Sequence, residues 1–142
     1  MLVKVLRFAY VVIILALVSC SAQPQAPETV EITLTEFSIE SPVTTFEAGK
    51  PYRFIITNAG ALNHEFTVMP PMMTAPVEME GHSMEDMAGA VLHISEDQLT
   101  PGAAVTMEFT FSEPSSSGVV EFACHLPGHY EGGMYMAITV DA

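Results

Sequence analysis

Short runs of alternating apolar and polar residues fill most of the chain beyond residue 28. Val30, Ile32 and Leu34 alternate with Glu31, Thr33 and Thr35, the two-residue period of a half-buried strand. Phe37 and Ile39 fall on the other parity, so a bulge is expected near Thr35-Glu36. Glu47-Ala48-Gly49-Lys50-Pro51 reads as a turn. Tyr52, Phe54 and Ile56 mark the next strand, ended by Asn58-Ala59-Gly60, and His64, Phe66 and Val68 share a face of another. Val105, Met107, Phe109 and Phe111 alternate with Thr106, Glu108 and Thr110. Val120, Phe122 and Cys124 share a face opposite Glu121, and Met136, Ile138 and Val140 close the chain. Seven to eight short strands separated by turn signals predict an all-β antiparallel sandwich or barrel. No strand alternates regularly with a helix, which argues against a parallel α/β sheet. The stretch from Met69 to Thr100 is too long for a hairpin loop. Within it Ser83-Met84-Glu85-Asp86-Met87-Ala88 can start a short helix, with Ser83 as N-cap and Asp86 near the capping-box position.

The first residues have a different pattern. Met1 to Arg7 is a basic start, and Phe8 to Val18 is an unbroken apolar run of 11 residues. That length suits a cleaved leader better than a spanning helix, which needs about 20 residues. The tetrapeptide Leu17-Val18-Ser19-Cys20 resembles the lipobox of bacterial lipoproteins, which implies cleavage before Cys20 and lipid attachment to it. An ordinary secretory leader with a chance cysteine is the alternative. Residues 1–19 are thus expected to be a lipoprotein signal peptide. Residues 20–28 form a lipidated N-terminus and Pro-containing tether, and residues 29–142 form one domain.

Charge narrows the partners. The chain holds 17 acidic and four basic residues, and Lys4 and Arg7 lie in the leader. The remainder carries a net −15, which repels nucleic acid and anionic headgroups. Such a surface either steers toward a basic partner and collects cations, or serves solubility alone. If Cys20 is lipidated, Cys124 is left single in an exported protein, and a lone thiol there calls for an intermolecular bridge, a nucleophilic role or a metal.

The metal reading is favoured by Cys124-His125-Leu126-Pro127-Gly128-His129-Tyr130-Glu131-Gly132-Gly133-Met134. The spacing Cys-x4-His-x4-Met lies between two strand patterns, and Pro127-Gly128 and Gly132-Gly133 let the connection turn sharply. One loop can therefore aim a thiolate, an imidazole and a thioether at one point. Two histidines, a cysteine and a weak axial methionine are the donor set of blue-copper centres. His64 is the best candidate for the second histidine. Structural zinc would favour more thiolates and no Met, and catalytic zinc would keep a water in place of Met134.

The loop resembles that of the cupredoxins, in particular the members with Cys-x4-His-x4-Met, and Asn63-His64-Glu65-Phe66 is similar to their first-ligand strand. The likeness spans about residues 29–142. It implies a Greek-key β-sandwich holding one type 1 copper, with His64, Cys124 and His129 as equatorial ligands and Met134 axial. It also implies that Asn63 ties the two ligand loops by hydrogen bonds, and that His129 reaches the surface and passes electrons.

The segment holding Met69, Met72, Met73, Met79, Met84 and Met87, with His82 and His93, departs from the small cupredoxins. Met72, Met73, Met79, His82, Met84 and Met87 are candidates for a looser Cu(I) site. A lid packed on the sandwich weighs more, because adjacent methionines such as Met72-Met73 are not themselves a metal geometry. His125 should point away from Cys124 and is not expected to be a ligand, and His93 is expected to pack locally. Tyr130 and Glu131 are expected at the rim of the centre. These residues suggest a monomeric single-electron carrier lipid-anchored at the cell envelope, with redox proteins, membrane complexes or copper enzymes as partners. The alternative is an envelope copper-binding or delivery protein using the Met-rich segment. An enzyme is disfavoured, because four protein donors leave no open metal position and five histidines are too few for further copper clusters.

Overall fold

The computed structural model describes residues 25–70 and 92–142, apart from the side chains of residues 117–119. Nine strands occur among the described residues. They are β1 (Glu28–Thr35), β2 (Ser38–Glu40), β3 (Thr45–Glu47), β4 (Pro51–Asn58), β5 (Phe66–Met69), β6 (Leu92–Ile94), β7 (Ala104–Thr110), β8 (Ser115–Ala123) and β9 (Tyr135–Asp141). One sheet has the order β2-β1-β4-β7 and the other β3-β9-β8-β5-β6. The alternation read from the sequence decides which side chains lie between them. Val30, Ile32 and Leu34 of β1 and Tyr52, Phe54 and Ile56 of β4 are all buried.

The pairing is not wholly antiparallel. β1 runs parallel to β4, with Val30 opposite Phe54, and β3 runs parallel to β9, with Phe46 opposite Val140. After β2 the chain crosses to the second sheet for β3 and returns for β4, so β4 re-enters beside β1 in the same direction, while the other neighbours of the first sheet are antiparallel. Periodicity reports burial and carries no strand direction, so it does not distinguish parallel from antiparallel neighbours.

Aromatic rings interdigitate between the layers. Phe46 lies 5.0 Å from both Tyr52 and Phe111 and 5.7 Å from Phe122, while Phe54 lies 5.9 Å from Phe122. Such contacts add about 0.5–1.5 kcal/mol each beyond area burial. The bulge expected near Thr35-Glu36 is instead a two-residue turn. Thr35 pairs with Ser38, and Phe37 takes a φ of 63°. A register irregularity does occur, but in β8 between Ser115 and Val120. The β1–β2 turn, the end of β4, the start of β5 and the β8–β9 loop meet at one end of the sandwich, where Gly60 approaches Glu36 and His64 and Gly132 approaches Phe37.

Candidate metal centre

The first arm of the centre is set by Asn58, which continues the buried face of β4 and is fully enclosed. Its Nδ2 donates to the carbonyls of Leu62 (2.8 Å) and Leu99 (2.7 Å), and its Oδ1 accepts from the Gly60 N–H (2.9 Å). The Leu99 carbonyl also accepts from the His64 N–H at 3.1 Å. Asn58 thus pins the loop that delivers His64 to the interior. From sequence alone it marks only the end of a strand.

The second arm is the loop from Cys124 to Met134. The Cys124 N–H donates to the Met134 carbonyl and the Met134 N–H to the His129 carbonyl, both at 3.0 Å. Gly128 (φ 83°) and Gly133 (φ 100°) supply the positive φ values these reversals need. Glu131, on the exposed side, accepts from the Gly128 N–H at 3.0 Å. The loop therefore folds back so that Met134, fully buried, is bonded through its backbone to both Cys124 and His129.

The side chains converge. His64 Nδ1 stands 3.2 Å from His129 Nδ1, and Cys124 Sγ stands 3.4 Å from the same His129 atom. Ligand atoms of His64, Cys124 and His129 all lie within 4.8 Å of one another, and among the described residues no other group of three His, Cys, Asp or Glu does so. His64 and Cys124 are fully buried, and His129 is partly exposed beside the ring of Phe37, edge-on at 5.7 Å. Burial, and then the neighbouring His129, push the His64 pKa below its ordinary value. Burial likewise pushes the Cys124 thiol up, against the backbone N–H groups of Glu65 and Leu126, which favour the thiolate. The Glu65 N–H lies 3.5 Å from the sulfur.

Asn63 is exposed, and the tie between the loops is made by Glu65 instead. Besides its N–H to Cys124, the Glu65 carboxylate accepts the His125 N–H at 2.7 Å. Burial alone would raise this carboxyl, but hydrogen bonds from the His125 ring and backbone and from His93 outweigh it and hold the pKa low. His125 packs away from the donors, stacked 5.0 Å from Tyr130, with Nδ1 3.2 Å from the Thr67 hydroxyl. Tyr130 is not at a solvated rim. It is buried, and its hydroxyl donates to Glu121 Oε1 at 2.7 Å. Cys20, Met72, Met73, Met79, His82, Met84 and Met87 lie outside the described residues.

Similarity to known proteins agrees with this geometry. The chain is 30% identical over 121 residues to the copper-resistant cuproprotein CopI of Rubrivivax gelatinosus, covering 82% of this chain and 68% of that one. The chain belongs to the CopI family. The CopI protein of Pseudomonas aeruginosa is 27% identical, covering 82% of this chain and 77% of that one. No protein-family model matches. Among solved structures, auracyanin A, a "blue" copper protein of Chloroflexus aurantiacus, superposes with a TM-score of 0.61 at 16% identity, covering 82% of this chain and all of that one. Reduced auracyanin of Roseiflexus castenholzii gives 0.57 at 20% identity, covering 83% of this chain and all of that one. The fold is that of the cupredoxins.

The residues present fit copper in this CopI relative. Two imidazole nitrogens and a sulfur face one buried point, with a buried methionine closing the same loop. His64 Nε2 is buried without a partner among the described residues, which suits an imidazole that binds through Nδ1 and keeps its proton on the other nitrogen.

Proposed function

We propose that this protein is a type 1 copper protein that carries single electrons at the cell envelope. The approach of His64 Nδ1, His129 Nδ1 and Cys124 Sγ within one buried cluster carries the reading. His64, Cys124 and His129 would hold the ion, with Met134 as a fourth donor, and a bound copper would supply a one-electron couple. Thiolate and thioether favour Cu(I), while imidazole suits both oxidation states. The chain's own contribution is rigidity and access. Asn58 and Glu65 fix both donor loops, so little rearrangement need accompany a change of charge. Cys124 gives up its proton on binding. His129, partly exposed between solvent and the buried sulfur, offers the shortest route for an electron, and half-exposed Phe37 and Leu62 give this end of the sandwich apolar surface. Four protein donors leave no position for a substrate, in keeping with a carrier rather than an enzyme.

The leader and Leu17-Val18-Ser19-Cys20 support export and a lipid anchor that would keep a monomeric carrier near membrane redox complexes or copper enzymes. A second reading is copper tolerance through binding or handing over the metal. The description of the CopI relatives as copper-resistant cuproproteins favours it.

The visible spectrum of the copper-loaded protein tests the site. An intense thiolate-to-Cu(II) band that disappears in Cys124→Ser is expected, whereas a colourless adduct indifferent to that change would sink the proposal. Copper titration and self-exchange then separate the two roles. One tightly held copper with fast exchange fits a carrier. A second Cu(I), lost when Met72, Met73, Met79, Met84 and Met87 are replaced, fits copper handling.

A further inference from the structure

His64 Nε2 is buried and makes no hydrogen bond among the described residues. Once Nδ1 serves as a ligand, the proton resides on Nε2, and metal-bound histidines nearly always donate that N–H to a carboxylate, a carbonyl or a water. The surroundings of Gly60 show where the acceptor lies. A Cβ built on Gly60 would stand 3.0 Å from His64 Nε2 and 2.7 Å from Glu36 Oε1. The carboxylate and the ring edge thus crowd the same side of Gly60, which has no room for a side chain.

Glu36 is held there. Its Oε1 accepts the backbone N–H groups of Ala61 and Leu62, the latter at 3.1 Å, in the loop that leads to His64. These bonds, chiefly that from Ala61, hold the carboxyl low, so it is ionised at neutral pH. The two described cations are engaged elsewhere, Lys50 with Glu28 and Glu47 and Arg53 with Glu108. The Glu36 charge is therefore not neutralised by an ion pair among the described residues.

We propose that Glu36 becomes the acceptor for the His64 Nε2–H once Nδ1 is bound to copper, and that its negative charge lowers the reduction potential of the centre by favouring Cu(II) over Cu(I). Glu36 is a positioning and tuning residue, acting through His64 without touching the metal. The inference rests on His64 being a copper ligand.

The test uses the copper-loaded protein. Glu36→Gln keeps an oxygen for the Ala61 and Leu62 amides and removes the charge. The balance between the two copper states is expected to move about tenfold toward Cu(I), about 59 mV upward for a one-electron couple, with the thiolate-to-copper band retained. In the diamagnetic Cu(I) form the His64 Nε2–H proton resonance is expected to move upfield as its acceptor weakens. Glu40→Gln removes the same charge from the far end of β2 and should change neither readout. An unmoved potential with the band intact, or an equal rise in Glu40→Gln, would overturn the role of Glu36. If Glu36→Gln does not fold, Glu36→Asp withdraws the charge by one methylene and should give a smaller rise; no rise overturns the inference. Absence of the band from the parent protein overturns the ligand reading itself.

Discussion

The Nδ1 atoms of His64 and His129 face one another across 3.2 Å, a separation that a single cation can bridge and that two protonated rings cannot share. In the metal-free protein, burial first and His129 second depress the His64 pKa below 6.5. Between that lowered value and the ordinary one the unfolded chain binds a proton at His64 that the folded chain does not, so stability rises with pH through the window and is lost as pH falls. The metal-free protein should melt at a lower temperature at about pH 5.5 than at about pH 7.5. Calorimetry at the two values checks this, and a flat profile would contradict the facing pair.

Copper should relieve that conflict and stabilise the fold. A ligand that binds only the native state adds about 2.7 kcal/mol at 100 times its dissociation constant. Chelation is therefore expected to lower the thermal midpoint of the loaded protein, and Cys124→Ser should abolish most of the difference between loaded and stripped samples.

Asn58→Ala removes two donors to buried or partly buried carbonyls and one acceptor. A cost of about 2–4 kcal/mol in urea unfolding is expected, since each unsatisfied buried group costs about 1–3 kcal/mol. Copper affinity should fall further than in Ile138→Ala, which damages the core without touching the loop that delivers His64. Equal affinity losses at equal destabilisation would show that Asn58 does not position the ligand.

Gly133→Ala and Gly102→Ala both force alanine into positive φ, at 100° and 78°, with nothing within 4 Å of the added carbon. Each should cost about 1–3 kcal/mol through backbone strain alone. Only Gly133, which precedes Met134, should also shift the copper spectrum. A spectral change in Gly102→Ala would mean that strain spreads through the whole sandwich.

Much of this was legible from residue order. The alternation in β1 and β4 identifies inward side chains, and the spacing from Cys124 to Met134 marks the loop that brings Cys124 and His129 together. His64 stands out because it shares a face with Phe66 and Val68 and follows Asn63, and it lies just before β5. The misses have long-range causes. Phe37 has the parity of a core residue, yet it is half exposed in a left-handed turn, held against Gly132 and His129 from the other end of the chain. Glu121 sits opposite the core face of β8 as its parity requires, but Tyr130 covers it. Asn58 and Glu65 read as a turn residue and a neighbour of a ligand. Their weight comes from partners 41 and 60 positions away, which periodicity does not report.

The β8–β9 connection has its two ends side by side, with Ala123 paired to Tyr135 and the amide of Cys124 bonded to the carbonyl of Met134. Three of the four proposed donors therefore travel as a cassette whose attachment points are already closed by the ladder beneath. Exchanging that cassette for a shorter or longer one would redraw the coordination sphere while the strands below stay as they are, so metal preference in this scaffold can diversify without refolding it.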